Sequence, residues 1–132
     1  MSIGVSHTDF VMIPVSDFDR AAAFYGDTIG LEPSKRWGDM PAQEFETGNL
    51  TLAIMDPTGF GRPFEGPSTA TIALRVDDVA ARRAQLEEVG VQFFMDTLDS
   101  GVCHMAIFAD PDGNRLMLHN RYAPEAPDTH GH

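Results

Sequence analysis

This chain contains an internal repeat, in which one order of predicted elements occurs twice. Val15-Ser16-Asp17 follows a short apolar run and precedes a helical pattern, and Val76-Asp77-Asp78 does the same in the second half. Three further strand patterns follow each helix. Because repeated patterns build repeated supersecondary units, the chain is predicted to contain two modules of the same βαβββ architecture.

The first half begins with a strand over Phe10–Val15, whose β-branched side chains alternate with Phe10, Met12 and Pro14. Ser16 is predicted to cap a helix over Asp17–Ile29, and Gly30 is predicted to end it in a left-handed conformation. The apolar stripe of that helix is interpreted as core. Its members are Phe18, Ala21, Ala22, Tyr25 and Ile29. Three strands are then predicted near Glu32–Trp37, Ala42–Glu46 and Leu50–Met55.

In the second half, Thr71–Val76 is predicted to be a strand, Asp77 is predicted to cap a helix that runs to Val89, and Gly90 is predicted to end that helix. Three strands follow, near Val91–Met95, Val102–Ala109 and Arg115–Asn120. Asp110–Asn114 superficially resembles a calcium loop, but the twelfth residue counted from Asp110 is Arg121 instead of the Glu that such a loop requires. It is interpreted as a turn.

These patterns predict one domain over residues 1–132, with modules at 8–56 and 69–122. The segment 57–68 is rich in Pro and Gly and has no periodicity, so it is interpreted as a linker or mobile flap. The tail 123–132 is predicted to be disordered, because it is polar and rich in Pro, Asp and Gly.

The charge of the chain limits its partners. The formal net charge is −11, and no stripe of Lys or Arg offsets it, so nucleic acid is excluded as a partner. A cationic ligand would be attracted, although solubility alone accounts for scattered surface carboxylates. There is one cysteine, Cys103, so no internal disulfide is possible. With neither a membrane-length apolar run nor a signal-peptide pattern, a cytoplasmic location is expected.

Several motifs together resemble the vicinal-oxygen-chelate superfamily, which includes glyoxalases, bleomycin-resistance proteins and extradiol dioxygenases. They are Val15-Ser16-Asp17, Phe24-Tyr25, Ile29-Gly30-Leu31 and Asp110-Pro111-Asp112-Gly113-Asn114. The resemblance covers about residues 8 to 122. It implies an α+β fold in which tandem βαβββ modules form a cupped mixed sheet with helices on its convex face. It also implies a homodimer and a ligand cavity on the concave face, but it does not name a reaction.

In metal-dependent members of that superfamily, the first and last strands of each module supply His, Gln or Glu ligands. Alignment on the shared motifs puts Phe10 at the first ligand position and Thr71 at the third, with Met117 at the fourth and Ala53 or Met55 at the second. None of these offers an imidazole or a carboxylate, which octahedral divalent metals prefer. No cofactor is therefore expected, and a divalent metal is the alternative.

Strand alternation predicts which side chains line the concave cavity. Most of them are apolar, as suits a small organic molecule that a few polar groups orient. The predicted lining consists of Phe10, Met12, Thr51, Ala53, Met55, Thr71, Ala73, Arg75, Met117 and His119. Arg75 is interpreted as either a ligand clamp or half of a surface ion pair, and His119 as either an acid-base group or a structural histidine.

Cys103 and His104 are adjacent on a strand and must face opposite sides, so one of them shares a face with His119. A Cys103–His119 pair would suggest nucleophilic chemistry, and a His104–His119 pair would suggest a metal away from the usual positions. The strand register decides between them.

Three functions compete. The first is a metal-free protein that binds a small organic molecule. The second is a glyoxalase-like lyase, isomerase or dioxygenase that uses an atypical metal or acid-base site near His104 and His119, with His119 as the catalytic group. The third is a subunit whose cavity has closed, so that Phe10 and Met117 fill a core. A homodimer without membrane contacts is expected in each case.

Overall fold

A computed structural model describes residues 1–124, which divide into two compact units, Met1–Ser68 and Thr69 onwards. Both units contain a strand, a helix and three more strands in chain order. The predicted α+β class with two tandem βαβββ modules is confirmed. No helix in the described part of the chain is long and apolar enough to cross a membrane.

The first unit is a four-stranded mixed sheet with one helix. Its strands are β1 (Val11–Pro14), β2 (Glu32–Arg36), β3 (Ala42–Glu46) and β4 (Thr51–Met55). Their spatial order is β1-β4-β3-β2, with β1 parallel to β4 and the other two pairs antiparallel. Helix α1 (Phe18–Ala23) continues as one π-helical segment, Phe24–Thr28.

The start of α1 differs from the prediction by one residue. Asp17, not Ser16, is the N-cap: it has extended backbone angles, and its carboxylate accepts a hydrogen bond from the Arg20 backbone N–H. That bond satisfies one of the donors that the first helical turn leaves without a partner. Gly30 has a φ of +73° after the last helical residue, which confirms the left-handed C-terminal glycine.

Alternation along the strands places the core of this unit on the helix side of the sheet. Ile13, Phe45 and Ile54 are buried there, and the Phe45 ring lies 6.1 Å from the ring of Tyr25, which is fully buried. Ala21 is also fully buried. The predicted helical stripe therefore packs on the predicted strand face, as its spacing requires.

The second unit repeats this arrangement. Its strands are β5 (Thr71–Arg75), β6 (Leu98–Asp99), β7 (Cys103–Ala109) and β8 (Arg115–Arg121), in the order β5-β8-β7-β6. Helix α2 (Val79–Glu88) is capped by Asp78, whose carboxylate accepts from the Ala81 N–H, so Asp77 was the wrong residue for this cap. Gly90 has a φ of +93°, as predicted for the residue that ends the helix.

One predicted strand is wrong. Residues Val91–Met95 form no strand, and only an isolated bridge joins Phe93 to Phe108. The two-residue strand β6 pairs with β7 instead, three residues further along the chain. The Phe93 and Phe94 rings each carry an arginine over one face, Arg83 and Arg115 respectively. Their apolar pattern therefore reflects packing against side chains, not a hydrogen-bonded ladder.

The segment predicted as a linker or flap, 57–68, lies within the first unit and begins with an ordered turn. Pro57–Phe60 form a 3-10 helix, whose N-cap Asp56 accepts from the Thr58 N–H. A Cβ atom at Gly59 would overlap the Pro41 ring, so only glycine lets this turn approach the loop before β3 so closely. At the other end of the chain, Ala123 donates to the Val102 carbonyl. The rest of the predicted tail, 125–132, lies outside the described residues.

Candidate functional site

The side of the first sheet that faces away from α1 is here called the open face. The register pairs Met12 with Ala53 on the parallel strands, and Glu44 with Ala53 and Glu46 with Thr51 on the antiparallel ones. Paired residues point to the same side of a sheet, so these side chains share the open face. Met55 joins them two residues beyond Ala53.

The cavity residues predicted in the first half therefore lie on one face. Met12 has 41% of its surface exposed and Thr51 and Met55 are half-buried, whereas Ala53 is fully buried. Phe10 immediately precedes β1 and has 40% of its surface exposed.

Three aromatic rings contact one another beside the open face and are called here the aromatic cluster. Trp37 lies between the other two: its ring is 5.6 Å from that of Phe10 at an interplanar angle of 70°, and 6.3 Å from that of Phe60 at 88°. These are edge-to-face contacts, the arrangement that aromatic quadrupoles favour. The 3-10 turn at Pro57–Phe60 is what carries Phe60 to this position.

Strand β3 carries two carboxylates on the open face, Glu44 and Glu46. The Trp37 indole Nε1–H donates to Glu44 Oε2 at 2.6 Å. Glu46 accepts from Ser34 Oγ at 2.6 Å and from Thr51 Oγ1 at 2.7 Å. The hydroxyl of Ser34, followed by that of Thr51, lowers the pKa of Glu46, because hydrogen bonds to the charged form stabilise it. Glu46 is thus engaged within the sheet, whereas Glu44 borders the rings.

Trp37, Phe60 and Glu44 were not among the residues predicted for the site. Trp37 stands at the end of a predicted strand, and Phe60 stands in a segment without periodicity. Only Glu44 had a usable signal, because the bounds predicted for β3 were correct and alternation separates Glu44 from the buried Phe45. Which of the two faces the core depends on the pairing with β4.

On the second sheet, the remaining predicted residues also share one face. The register pairs Ala73 with Met117 and Arg75 with His119 on neighbouring parallel strands. Thr71 lies two residues before Ala73 and is exposed. Arg75 is exposed and His119 is 9% exposed, so an exposed arginine and a buried histidine occupy neighbouring positions on this face.

The register also decides between Cys103 and His104. Met105 is the residue directly opposite His119, and Cys103 is opposite Arg121, so Cys103 shares the face of His119. His104 pairs with Asn120 and points to the other side. His104 and His119 therefore do not converge on one ion. Cys103 is buried, at 3% exposure.

His104 belongs instead to a cluster with Asp99 and Tyr122. The Tyr122 hydroxyl donates to Asp99 Oδ1 at 2.7 Å, and His104 Nε2 lies 3.4 Å from Asp99 Oδ2. The His104 and Tyr122 rings are 4.6 Å apart. The Tyr122 hydroxyl, followed by the Gly101 backbone N–H, lowers the pKa of Asp99. The bond to Asp99, with desolvation second, raises the pKa of the Tyr122 phenol.

We expect Tyr122 to ionise above the ordinary range of a tyrosine, and Asp99→Asn to bring its pKa back down. Because the pKa of Asp99 is lowered and that of Tyr122 is raised by folding, their contact stabilises the fold from about pH 4 to about pH 10. The stabilisation is lost as the pH falls through the lowered pKa or rises through the raised one. The near-ultraviolet absorbance of tyrosinate measures the phenol, with Tyr122→Phe identifying its transition. An ordinary pKa for Tyr122 in the wild-type protein would contradict this expectation.

The residues predicted at the metal-ligand positions do not offer the donors that a divalent metal prefers. Phe10, Ala53, Met55 and Met117 offer at most a thioether, and Thr71 offers a hydroxyl. Mg²⁺, Mn²⁺ and Fe²⁺ prefer carboxylate and imidazole donors. Among residues 1–124, no three His, Cys, Asp or Glu side chains are grouped to hold an ion.

Several solved structures are similar over nearly the whole chain. TnmS3, an antibiotic binding protein from Streptomyces sp. CB03234, is 29% identical with a TM-score of 0.72, and the match covers 91% of this chain and 99% of that one. A glyoxalase/bleomycin resistance protein from the same organism is 30% identical with a TM-score of 0.66, covering 87% and 100%.

A lactoylglutathione lyase from Agrobacterium tumefaciens, 21% identical with a TM-score of 0.71 over 88% of this chain and 94% of that one, shares the fold. The model of the Glyoxalase/Bleomycin resistance protein/Dioxygenase superfamily matches residues 6–118. That match spans both βαβββ units. The chain belongs to the glyoxalase/bleomycin resistance protein/dioxygenase superfamily.

Proposed function

We propose that this protein binds a small organic molecule on the open face of the first sheet, without the divalent metal that many members of its family use. The aromatic cluster is the observation that carries the proposal. Phe10 and Phe60 have 40% and 38% of their surface exposed, and Met12, on the same face, has 41%. Apolar side chains grouped on a surface mark binding sites, and Met adapts its shape to irregular ligands.

Two further observations support binding over chemistry. The similar protein TnmS3 is described as an antibiotic binding protein. The residues predicted at the usual metal positions also lack the donors of a catalytic metal site. The exposure of Phe10 argues against the third hypothesis, because a residue that filled a closed core would not keep 40% of its surface accessible in the chain.

The test is a titration with N-phenyl-1-naphthylamine, a neutral apolar probe whose emission rises in apolar surroundings. Trp37 is the only tryptophan of the chain, so quenching of its emission reports binding beside the cluster. We expect saturable binding that Phe60→Ala weakens by about fivefold to tenfold, since the loss of one apolar contact surface is worth about 1 kcal/mol or more. The matched control is Phe94→Ala, which removes another exposed phenylalanine, at 55% exposure.

The metal-free part of the proposal has its own readout. Thermal unfolding with and without Mn²⁺, Fe²⁺, Ni²⁺ and Zn²⁺ is expected to show no stabilisation, because a metal that bound the native state would raise the midpoint. The binding site would be overturned if Phe60→Ala and Phe94→Ala weakened probe binding equally. It would also be overturned if the wild-type protein showed no saturable binding. A metal-dependent rise in the midpoint would overturn the metal-free part alone.

The pairing of Arg75 with His119 favours a second candidate, an acid-base enzyme of the lyase, isomerase or dioxygenase type. In such an enzyme, the imidazole of His119 would transfer a proton and the guanidinium of Arg75 would bind an anionic group of the substrate. An assay that follows lactoylglutathione formation, in wild type and in His119→Gln, tests one such activity. Turnover that the variant abolishes would favour the enzyme over the binding protein.

A further inference from the structure

The aromatic cluster differs from other rings of this protein in what lies against it. Phe18, Phe93 and Phe94 each have an arginine guanidinium over the ring, at 4.2, 4.5 and 5.4 Å from the centroid. Within residues 1–124, no Lys or Arg makes such a contact with Phe10, Trp37 or Phe60. The protein's own cations thus cover the first set of rings and leave the cluster uncovered.

The carboxylate of Glu44 lies beside the aromatic cluster, where it would balance a positive charge on a ligand. Glu44 is half-buried, and Trp37 Nε1–H holds its Oε2 at 2.6 Å. Glu44 Oε1 takes part in no hydrogen bond or ion pair with the described residues. The indole therefore fixes the carboxylate against the rings and leaves one oxygen for another partner. A ring face is the negative part of an aromatic quadrupole, so rings and carboxylate present the same sign.

We infer that the ligand of this site is an organic cation, an alkylammonium or protonated amine attached to an apolar body. This inference rests on the proposed function. The cation would lie against the cluster of Phe10, Trp37 and Phe60, with Glu44 as its counter-ion. Cations bind to aromatic faces more strongly when the site is partly desolvated, as it is here beside the half-buried Glu44. The net charge of −11 adds a long-range attraction of the same sign.

A matched pair of probes separates charge from shape. Benzyltrimethylammonium and neopentylbenzene have the same outline and differ by a nitrogen cation in place of a quaternary carbon. We expect the cation to bind the full-length protein about tenfold more tightly, as a cation in contact with rings and a carboxylate should. Quenching of the Trp37 emission measures binding of both probes. Added salt should weaken the binding of the cationic probe only.

Glu44→Gln tests the assigned counter-ion. The glutamine keeps an oxygen for the indole N–H, so the variant should fold, and far-ultraviolet circular dichroism checks this. We expect the preference for the cation to fall to about twofold or less, because the ring faces alone retain only part of it. Asp19→Asn is the control: it removes the same charge from an exposed position on α1, on the other side of the sheet, and should keep the preference.

The results separate this inference from the proposed function. Equal binding of the two probes would overturn the cation while leaving an apolar binding site in place. A preference that survives Glu44→Gln would overturn Glu44 as the counter-ion. Equal losses in Glu44→Gln and Asp19→Asn would assign the preference to net charge and overturn the role of Glu44. Binding of none of the probes, N-phenyl-1-naphthylamine included, would overturn both proposals together.

Discussion

Replacing Phe45 with Ala is expected to lower the free energy of unfolding by about 3 to 5 kcal/mol, the usual loss for a large aromatic side chain in a core. Phe45 is 2% exposed, pairs with Leu52 on β4, and lies 6.1 Å from Tyr25 between ring centroids. A Cβ at Gly26 would already lie 3.4 Å from Phe45 Cε1, so the helical segment approaches the ring closely. Urea denaturation measures the loss.

Phe94→Ala is the control for this substitution, because Phe94 is 55% exposed and its removal should cost less than about 1 kcal/mol. Glu44→Gln, one position before Phe45, should leave stability nearly unchanged while it alters ligand preference. Adjacent residues of β3 thus separate stability from binding, since they point to opposite faces. A loss for Phe45→Ala no larger than that for Phe94→Ala would contradict the assignment of this face as core.

The sequence could predict that the cavity residues of each sheet lie on one face, because the side chains of a strand alternate with a period of two. Once Phe10–Val15 is a strand with Ile13 inward, Phe10 and Met12 must face outward. The same argument applies to Thr71, Ala73 and Arg75 on β5. Alternation needs only the existence of the strand, and it tolerates errors of one residue at either end.

Features that depend on a choice between neighbours could not be obtained in this way. Ser16 and Asp17 are both good capping residues, as are Asp77 and Asp78, and the backbone angles decide between them. In both units the second residue of the pair takes the extended conformation and reaches the third helical N–H. The duplication made the two errors alike, because the same pattern was interpreted in the same way twice.

The aromatic cluster was missed for a different reason. Trp37 and Phe60 are far apart in sequence, and a ring contact between them leaves no periodic trace. Phe60 reaches Trp37 through a short 3-10 turn whose close approach to Pro41 requires Gly59. Periodic patterns in the sequence predict helices and strands, whereas this contact depends on where a turn positions the side chain of Phe60.

Asp110→Ala is expected to lower the free energy of unfolding by about 3 kcal/mol, because it removes the acceptor of three hydrogen bonds at once. Asp110 is 5% exposed. Its Oδ1 accepts from the backbone N–H groups of Asp112 and Asn114, both at 2.9 Å, and its Oδ2 accepts from Asn114 Nδ2 at 2.8 Å. Asn114 is 2% exposed, so its amide has no ready access to water as a replacement partner.

The same geometry explains why the acidic turn between β7 and β8 is a structural feature and not a cation site. Both carboxylate oxygens of Asp110 already accept hydrogen bonds from N–H groups. These N–H groups carry partial positive charge and occupy the positions where a calcium ion would have to lie. Asp110→Asn keeps one side-chain acceptor and should lose about half as much stability, whereas Asp39→Ala, in an exposed turn, should change it by less than about 0.5 kcal/mol. If urea denaturation gave Asp110→Ala and Asp39→Ala equal losses, the carboxylate would not be what closes this turn, and the hairpin that carries Met117 and His119 would owe its geometry to the backbone alone.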